Sequence, residues 1–131
     1  MIVVDASVLA NVVGDDGADG DRARAAVAGQ DVSVPDLADV EVVSVLRRRW
    51  LAKTMTARRF AAAIDDLAML PADRYPASPF MPRAYELRAN VSAYDATYVA
   101  LAEHLDCSLV TADARLASAP GPRCAITVLR N

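Results

Sequence analysis

The sequence predicts an α/β protein in which a central, mostly parallel sheet lies between helices in three α/β/α layers. Three observations predict it. Short β-branched runs alternate along the chain with longer segments of helical periodicity, and strands that alternate with helices pair in parallel and are covered on both faces. The 131 residues suit a single domain spanning 1–131, and a chain of this size buries roughly two-thirds of its unfolded surface. Apolar residues make up 54% and charged residues 24%, a globular rather than a disordered balance.

The elements follow in order. Ile2-Val3-Val4 ends at Asp5 and reads as a buried strand. Ser7 is placed to N-cap a short helix from Val8 to about Val13. Gly14 to Gly20 is rich in Gly and Asp and reads as a loop. Arg22 to Ala28 reads as a helix ended by Gly29, and Val32-Ser33-Val34 as a second strand stopped by Pro35. Asp36 to about Ala52 reads as a long helix capped by Asp36, with Leu37, Val40, Val43, Leu46 and Trp50 as its apolar stripe. Thr56 to Leu70 is a helix opened by Thr56 and closed by Pro71. Ala72 to Pro82 carries three prolines and reads as irregular, with room for one short strand. Arg83 to Ala89 is helical, and Tyr94 to Leu105 is a helix with Tyr98, Leu101, Ala102 and Leu105 on one side. Ser108 to Thr111 and Ala125 to Leu129 are the last strands.

Composition excludes several classes. The longest apolar runs, such as Phe60 to Ile64, are five residues, whereas a membrane span needs about 20. The opening Met-Ile-Val-Val-Asp lacks a basic n-region, so a secretion signal is not expected and a cytoplasmic setting is. The 14 basic and 17 acidic residues give net −3, not the basic excess of a passive nucleic-acid binder. Any nucleic-acid contact is therefore local or metal-assisted. Cys107 and Cys124 lack CxxC spacing, which argues against zinc, and a cytoplasmic setting argues against a disulfide. Both precede strands, so they are expected as semi-buried thiols at the end of the sheet away from any site. His104 is the sole histidine; it falls near a helix end and reads as a polar surface residue.

In open α/β sheets, ligands bind beyond the carboxyl ends of the strands, and that rule selects four acids. Asp5 follows the first strand, and Asp113 lies just past Thr111 at the end of a later one. Each serves equally as a turn or cap residue. Glu41 sits among Leu37, Val40, Val42, Ser44 and Val45, where a carboxylate is costly unless paired or ligated; an ion pair with Arg48 is the bland alternative. Asp95 opens a helix between Tyr94 and Tyr98; a favourable charge at a helix N-terminus is the alternative there. Four carboxylates in one cleft repel unless cations neutralise them. An all-oxygen donor set suits Mg²⁺, with Mn²⁺ as a substitute, rather than Zn²⁺. Such ions activate water and stabilise charge on phosphodiester oxygens.

These residues resemble the PIN-domain nucleases, and closely the VapC toxins of bacterial toxin–antitoxin pairs. The resemblance runs nearly end to end. It rests on Ile-Val-Val-Asp-Ala-Ser with Asp5, and on Val-Pro-Asp-Leu-Ala-Asp-Val-Glu-Val-Val-Ser-Val-Leu-Arg-Arg with Glu41. It rests further on Ser-Ala-Tyr-Asp-Ala-Thr-Tyr-Val-Ala-Leu-Ala-Glu with Asp95, and on Leu-Val-Thr-Ala-Asp-Ala-Arg-Leu with Asp113. It implies a PIN-like sandwich and a Mg²⁺-dependent endoribonuclease that cuts structured RNA, such as transfer RNA or a ribosomal RNA loop. It implies Asp5 and Asp95 as metal ligands, with Glu41 and Asp113 completing the catalytic cluster, partly through water. It also implies a homodimer and a VapB-like antitoxin that blocks the cleft, with operator DNA reached only through that antitoxin, and no membrane role.

Other residues keep two readings. Ser7 contacts a metal-bound water or caps its helix; Thr111 braces the cluster or is an ordinary strand Thr. Arg115 steadies a phosphate or forms a surface salt bridge. Of Arg47-Arg48-Arg49, at most one or two meet RNA backbone. Asp39 points away from Glu41. A haloacid-dehalogenase-type phosphatase needs a second Asp where Ser7 stands, and a receiver-type domain lacks its acidic pair. A PIN fold that only binds a partner or RNA is the non-enzymatic alternative.

Overall fold

The computed structural model describes residues 1–130. Five strands, β1 (Ile2–Val4), β2 (Val32–Pro35), β3 (Ala72–Tyr75), β4 (Ser108–Thr111) and β5 (Ile126–Val128), form one sheet in the order β3-β2-β1-β4-β5. Every pairing is parallel, so the expected mostly parallel sheet is parallel throughout. Val3, Val4, Val34 and Leu109 are fully buried, as strands covered on both faces require. The chain leaves β1 toward β2 on one side and reaches β4 on the other. The strand order therefore reverses between β1 and β4, at whose carboxyl ends such sheets hold their sites.

Seven helices cover the sheet: α1 (Ala6–Gly14), α2 (Ala18–Val27), α3 (Ala38–Leu51), α4 (Ala57–Met69), α5 (Met81–Glu86), α6 (Ala93–Leu105) and α7 (Ala114–Ser118). α1 packs with α2, α3 and α4, while α6 lies against β1, β2 and β4 with α5 beside it. Residues 96–102 of α6 are all buried. Its apolar residues therefore form no single stripe, and the expected one-sided face is replaced by a helix enclosed all round.

Several local expectations are corrected. α2 begins within the expected loop because Asp15 orders it: one carboxylate oxygen accepts the amides of Gly17 and Gly20, each at 2.9 Å. A Cβ at Gly20 would lie 1.8 Å from the Asp15 carbonyl oxygen, so only glycine permits that approach. Asp36 does not cap α3; its carboxylate accepts the Ala77 amide at 3.2 Å, and Leu37 is the cap position. The buried stripe of α3 is Ala38, Val42 and Leu46. Of the expected stripe, Leu46 is buried and Leu37 packs partly against the core, while Val40 and Trp50 are 73% and 43% exposed, so the buried face is rotated from the one the apolar spacing marks. The expected irregular stretch holds β3, a 3-10 turn at Ser78–Phe80 and the start of α5. α7, which the sequence reading did not include, is a single short turn after β4.

Candidate active site

Asp5 emerges from β1 and is 6% exposed. It, and not Ser7, caps α1: its Oδ1 accepts the Val8 amide at 3.2 Å. The Ser7 hydroxyl donates to the same oxygen, and the Thr111 hydroxyl donates to Oδ2. These two hydroxyls also accept the chain leaving β4. The Ala112 amide donates to Ser7 Oγ at 3.1 Å and the Asp113 amide to Thr111 Oγ1 at 3.0 Å. Two small side chains thus hold the ends of β1 and β4 in one arrangement, with Asp5 at its centre.

Asp113 caps α7 by accepting the Arg115 amide at 2.9 Å. The Arg115 guanidinium returns to the same carboxylate at 3.2 and 3.3 Å, so the salt-bridge reading of Arg115 is the one observed. Glu41 is half-buried on α3, and its Oε1 accepts the Tyr98 hydroxyl at 2.8 Å. Tyr98 is fully buried on α6. Among the described residues Glu41 makes no ion pair with Arg48. Asp95 lies in the first turn of α6, whose cap, Ser92, accepts the Asp95 amide at 3.1 Å.

Electrostatics ties the four acids together. Burial pushes the Asp5 carboxyl above its ordinary range, against the hydrogen bonds from Ser7, Thr111 and the Val8 amide. Burial also raises Glu41; Tyr98 opposes the shift, and the charges of Asp95 and Asp5 add to it. Asp95 is raised by burial and by the charges of Asp5 and Asp113. Asp113 alone is lowered, by its hydrogen bond from Arg115. Tyr98 is raised by burial and by Glu41, so it remains a hydrogen-bond donor across the working pH range. The charges of Asp5 and Asp113 thus reach Asp95, and those of Asp5 and Asp95 reach Glu41.

This donor set is all oxygen, the chemistry that suits a hard divalent cation. As the side chains lie, no three carboxylate, imidazole or thiolate groups among the described residues stand close enough to share one ion. Asp5, Glu41 and Asp113 are each turned to a protein partner. Ligation by two carboxylates, with water completing the shell, is the arrangement Mg²⁺ ordinarily accepts.

The remaining candidates lie elsewhere. Arg49 bonds the Asn11 side chain at 2.6 Å, and Asp39 pairs with Arg74 at 2.7 Å; both brace the fold. Arg47 and Arg48 are exposed. His104 is exposed and meets the Phe80 ring edge-on at 5.7 Å. Cys107 and Cys124 are free, partly exposed thiols lining a cavity of about 430 Å³ at the amino ends of β4 and β5. The sequence places Tyr98 on one side of its helix and does not disclose its bond to Glu41. The available signal was that a buried Tyr needs a partner for its hydroxyl.

The PIN domain family model matches residues 2–122. Ribonuclease VapC9 of Mycobacterium tuberculosis is 43% identical over 129 residues, covering 98% of each chain. Ribonuclease VapC1 of the same organism is 40% identical, over 98% of this chain and 97% of its own. Among solved structures, M. tuberculosis VapC20, described as a sarcin–ricin loop cleaving toxin, superposes with a TM-score of 0.69. That match covers 88% of this chain and 92% of VapC20 at 19% identity, a likeness of fold alone.

Proposed function

The chain belongs to the PIN-domain family, among its VapC ribonucleases, and from that membership we propose that it is a Mg²⁺-dependent endoribonuclease acting as the toxin of a toxin–antitoxin pair. One observation carries the reading: Asp5 is buried at the switch point of the sheet with both carboxylate oxygens held by Ser7, Thr111 and the Val8 amide, and its charge reaches Glu41 and Asp95. The reaction is the addition of water across a phosphodiester bond of structured RNA, a transfer RNA or a ribosomal RNA loop. Asp5 and Asp95 would hold the ion, and Glu41 and Asp113 complete the cluster. A bound Mg²⁺ would supply charge neutralisation and Lewis-acid activation of water; Mn²⁺ would substitute by the same donor chemistry.

The chain's own residues do the positioning. Ser7, Thr111 and the Val8 amide fix both oxygens of Asp5 before any ligand arrives. Tyr98 fixes Oε1 of Glu41 and leaves Oε2 free to meet water. With net charge −3, the protein holds a polyanion only where cations offset its acids, which concentrates RNA contact at the cluster. The relatives' class supports a VapB-like antitoxin as partner, a homodimer, operator DNA contact only through the antitoxin, and a cytoplasmic setting. No helix among the described residues is long and apolar enough to cross a membrane.

The test uses antitoxin-free protein, total cellular RNA, and Mg²⁺, EDTA and Asp95→Asn arms. Discrete fragments that require both Mg²⁺ and Asp95 are expected, and their ends name the target. Intact RNA in every arm, with Mn²⁺ as well, would replace this reading with a non-catalytic partner-binding or RNA-binding PIN module.

A further inference from the structure

Tyr94 is 63% exposed and directly precedes Asp95 in the first turn of α6. It stands one helical turn before Tyr98, and residues four apart share a helix face. Tyr98 carries its hydroxyl to Glu41. Helical side chains tilt toward the N-terminus, and the N-terminal turn of α6 holds Asp95 beside Asp5 and Asp113. Tyr94 is therefore an exposed ring one helical turn from the Tyr98–Glu41 bond and next in the chain to Asp95. The protein's other tyrosine of similar exposure, Tyr85, has the Arg88 guanidinium 3.9 Å from its ring centre. Among the described residues Tyr94 has no such partner.

We propose that Tyr94 is a positioning residue whose ring stacks on one unpaired RNA base next to the scissile phosphate. The inference rests on the ribonuclease reading and narrows its substrate. The cluster recognises backbone phosphate, which every RNA has. A ring face recognises a base only when that base is unstacked from its neighbours, as in a loop or bulge. The combination selects a cut site in single-stranded nucleotides and disfavours a continuous duplex, without specifying base identity, because every base has a face to stack.

The experiment compares wild type, Tyr94→Ala, Tyr94→Phe, Tyr94→Trp and Tyr85→Ala with Mg²⁺. The substrates are a hairpin carrying the mapped cut site in its loop and the same nucleotides closed into a duplex. Stacking energies per base imply a loss of roughly 5- to 150-fold in kcat/KM for Tyr94→Ala. The loss should fall mainly on KM, with an unchanged melting temperature because the ring is exposed. Phe and Trp should restore cleavage, Tyr85→Ala should match wild type, and the duplex should resist cutting. If wild type cleaves and Tyr94→Ala matches it, or if Phe and Trp fail to rescue, the stacking role is overturned while the nuclease reading stands. If wild type itself cuts nothing, both fall together.

Discussion

The two ends of α6 carry half-buried carboxylates in opposite circumstances. At its C-terminal end Glu103, whose side chain is 16% exposed, accepts two bonds from Arg83 at 2.8 and 3.1 Å and the Arg123 amide at 2.7 Å. Burial works against its charge, but these donors win and its carboxyl lies below the ordinary range. At the N-terminal end Asp95 feels the charges of Asp5 and Asp113 instead, and Asp5, Glu41 and Asp95 are all raised. One helix thus holds a carboxylate whose charge the fold satisfies and another whose charge burial and neighbouring acids oppose. The first is architecture; the second is what a site looks like electrostatically.

The sharpest break of this comparison is a pair of charge-removing substitutions. Asp95→Asn should lower RNA cleavage by more than about 100-fold, since even groups that only orient a metal's ligands are worth 10–100-fold. Glu103→Gln should leave cleavage within about twofold, because it lies far from the chemistry, as distant sites usually behave independently. Stability should run the other way. Glu103→Gln weakens charge-assisted bonds, a cost of about 1 kcal/mol and a fall of roughly 3–5 °C in melting temperature. Asp95→Asn, measured without divalent cations, should raise the melting temperature by roughly 2–4 °C, because it relieves repulsion. Paired cleavage assays and thermal melts check both arms. A destabilised Asp95→Asn protein would mean that Asp95 is a helix-capping charge rather than a strained one.

Much of this contrast was legible in the sequence. Asp5 and Asp113 are strand-end acids, and an edge rule for open sheets selected them. Glu41 and Asp95 stood out because a carboxylate amid apolar neighbours needs a reason. What sequence could not supply was the third dimension. Periodicity on α3 favoured Leu37, Val40, Val43, Leu46 and Trp50, but tertiary packing kept Leu46 and chose Ala38 and Val42 beside it. Thr111 admitted two roles until the chain returned along β4 and placed its hydroxyl on Asp5. That contact spans 106 positions, beyond any local pattern.

A second consequence concerns pH. A carboxyl raised in the folded chain binds its proton more tightly there than when unfolded. Its contribution to stability is complete below the unfolded value and is lost as pH rises through the folded one. Asp5, Glu41 and Asp95 behave this way, from reference values of 3.8, 4.5 and 3.8. Glu103 and Asp113 are lowered, so their contributions are present above the unfolded values and vanish as pH falls through the folded ones. Metal-free protein should therefore gain stability as pH falls from neutral toward the reference values of the raised carboxyls, then lose it as pH falls further through the lowered ones. Asp95→Asn should flatten the first limb and Glu103→Gln the second. Melting temperatures across this range in EDTA check it; a wild-type curve that falls steadily from neutral pH would show that the cluster carries no net repulsion.

The smallest expected effect tests whether Glu41 is positioned or merely present. Tyr98 is buried and its hydroxyl has one acceptor in the fold, Glu41 Oε1 at 2.8 Å. Tyr98→Phe removes that donor and keeps the ring, so packing along α6 is conserved. Glu41 is half-exposed, and water can take the place of the lost hydroxyl, so the stability change should stay below about 1 kcal/mol. Cleavage should fall by about 10-fold, the lower end of what groups that orient a metal's ligands contribute. The fall should appear in kcat, because the lost bond orients an acid and touches no RNA. Glu41→Gln in the same background should then cost no more than Glu41→Gln alone costs beyond that tenfold, since both changes act through one carboxylate. Fully additive losses would mean that Tyr98 and Glu41 serve the reaction separately, and that the buried hydroxyl only fills its place in the core.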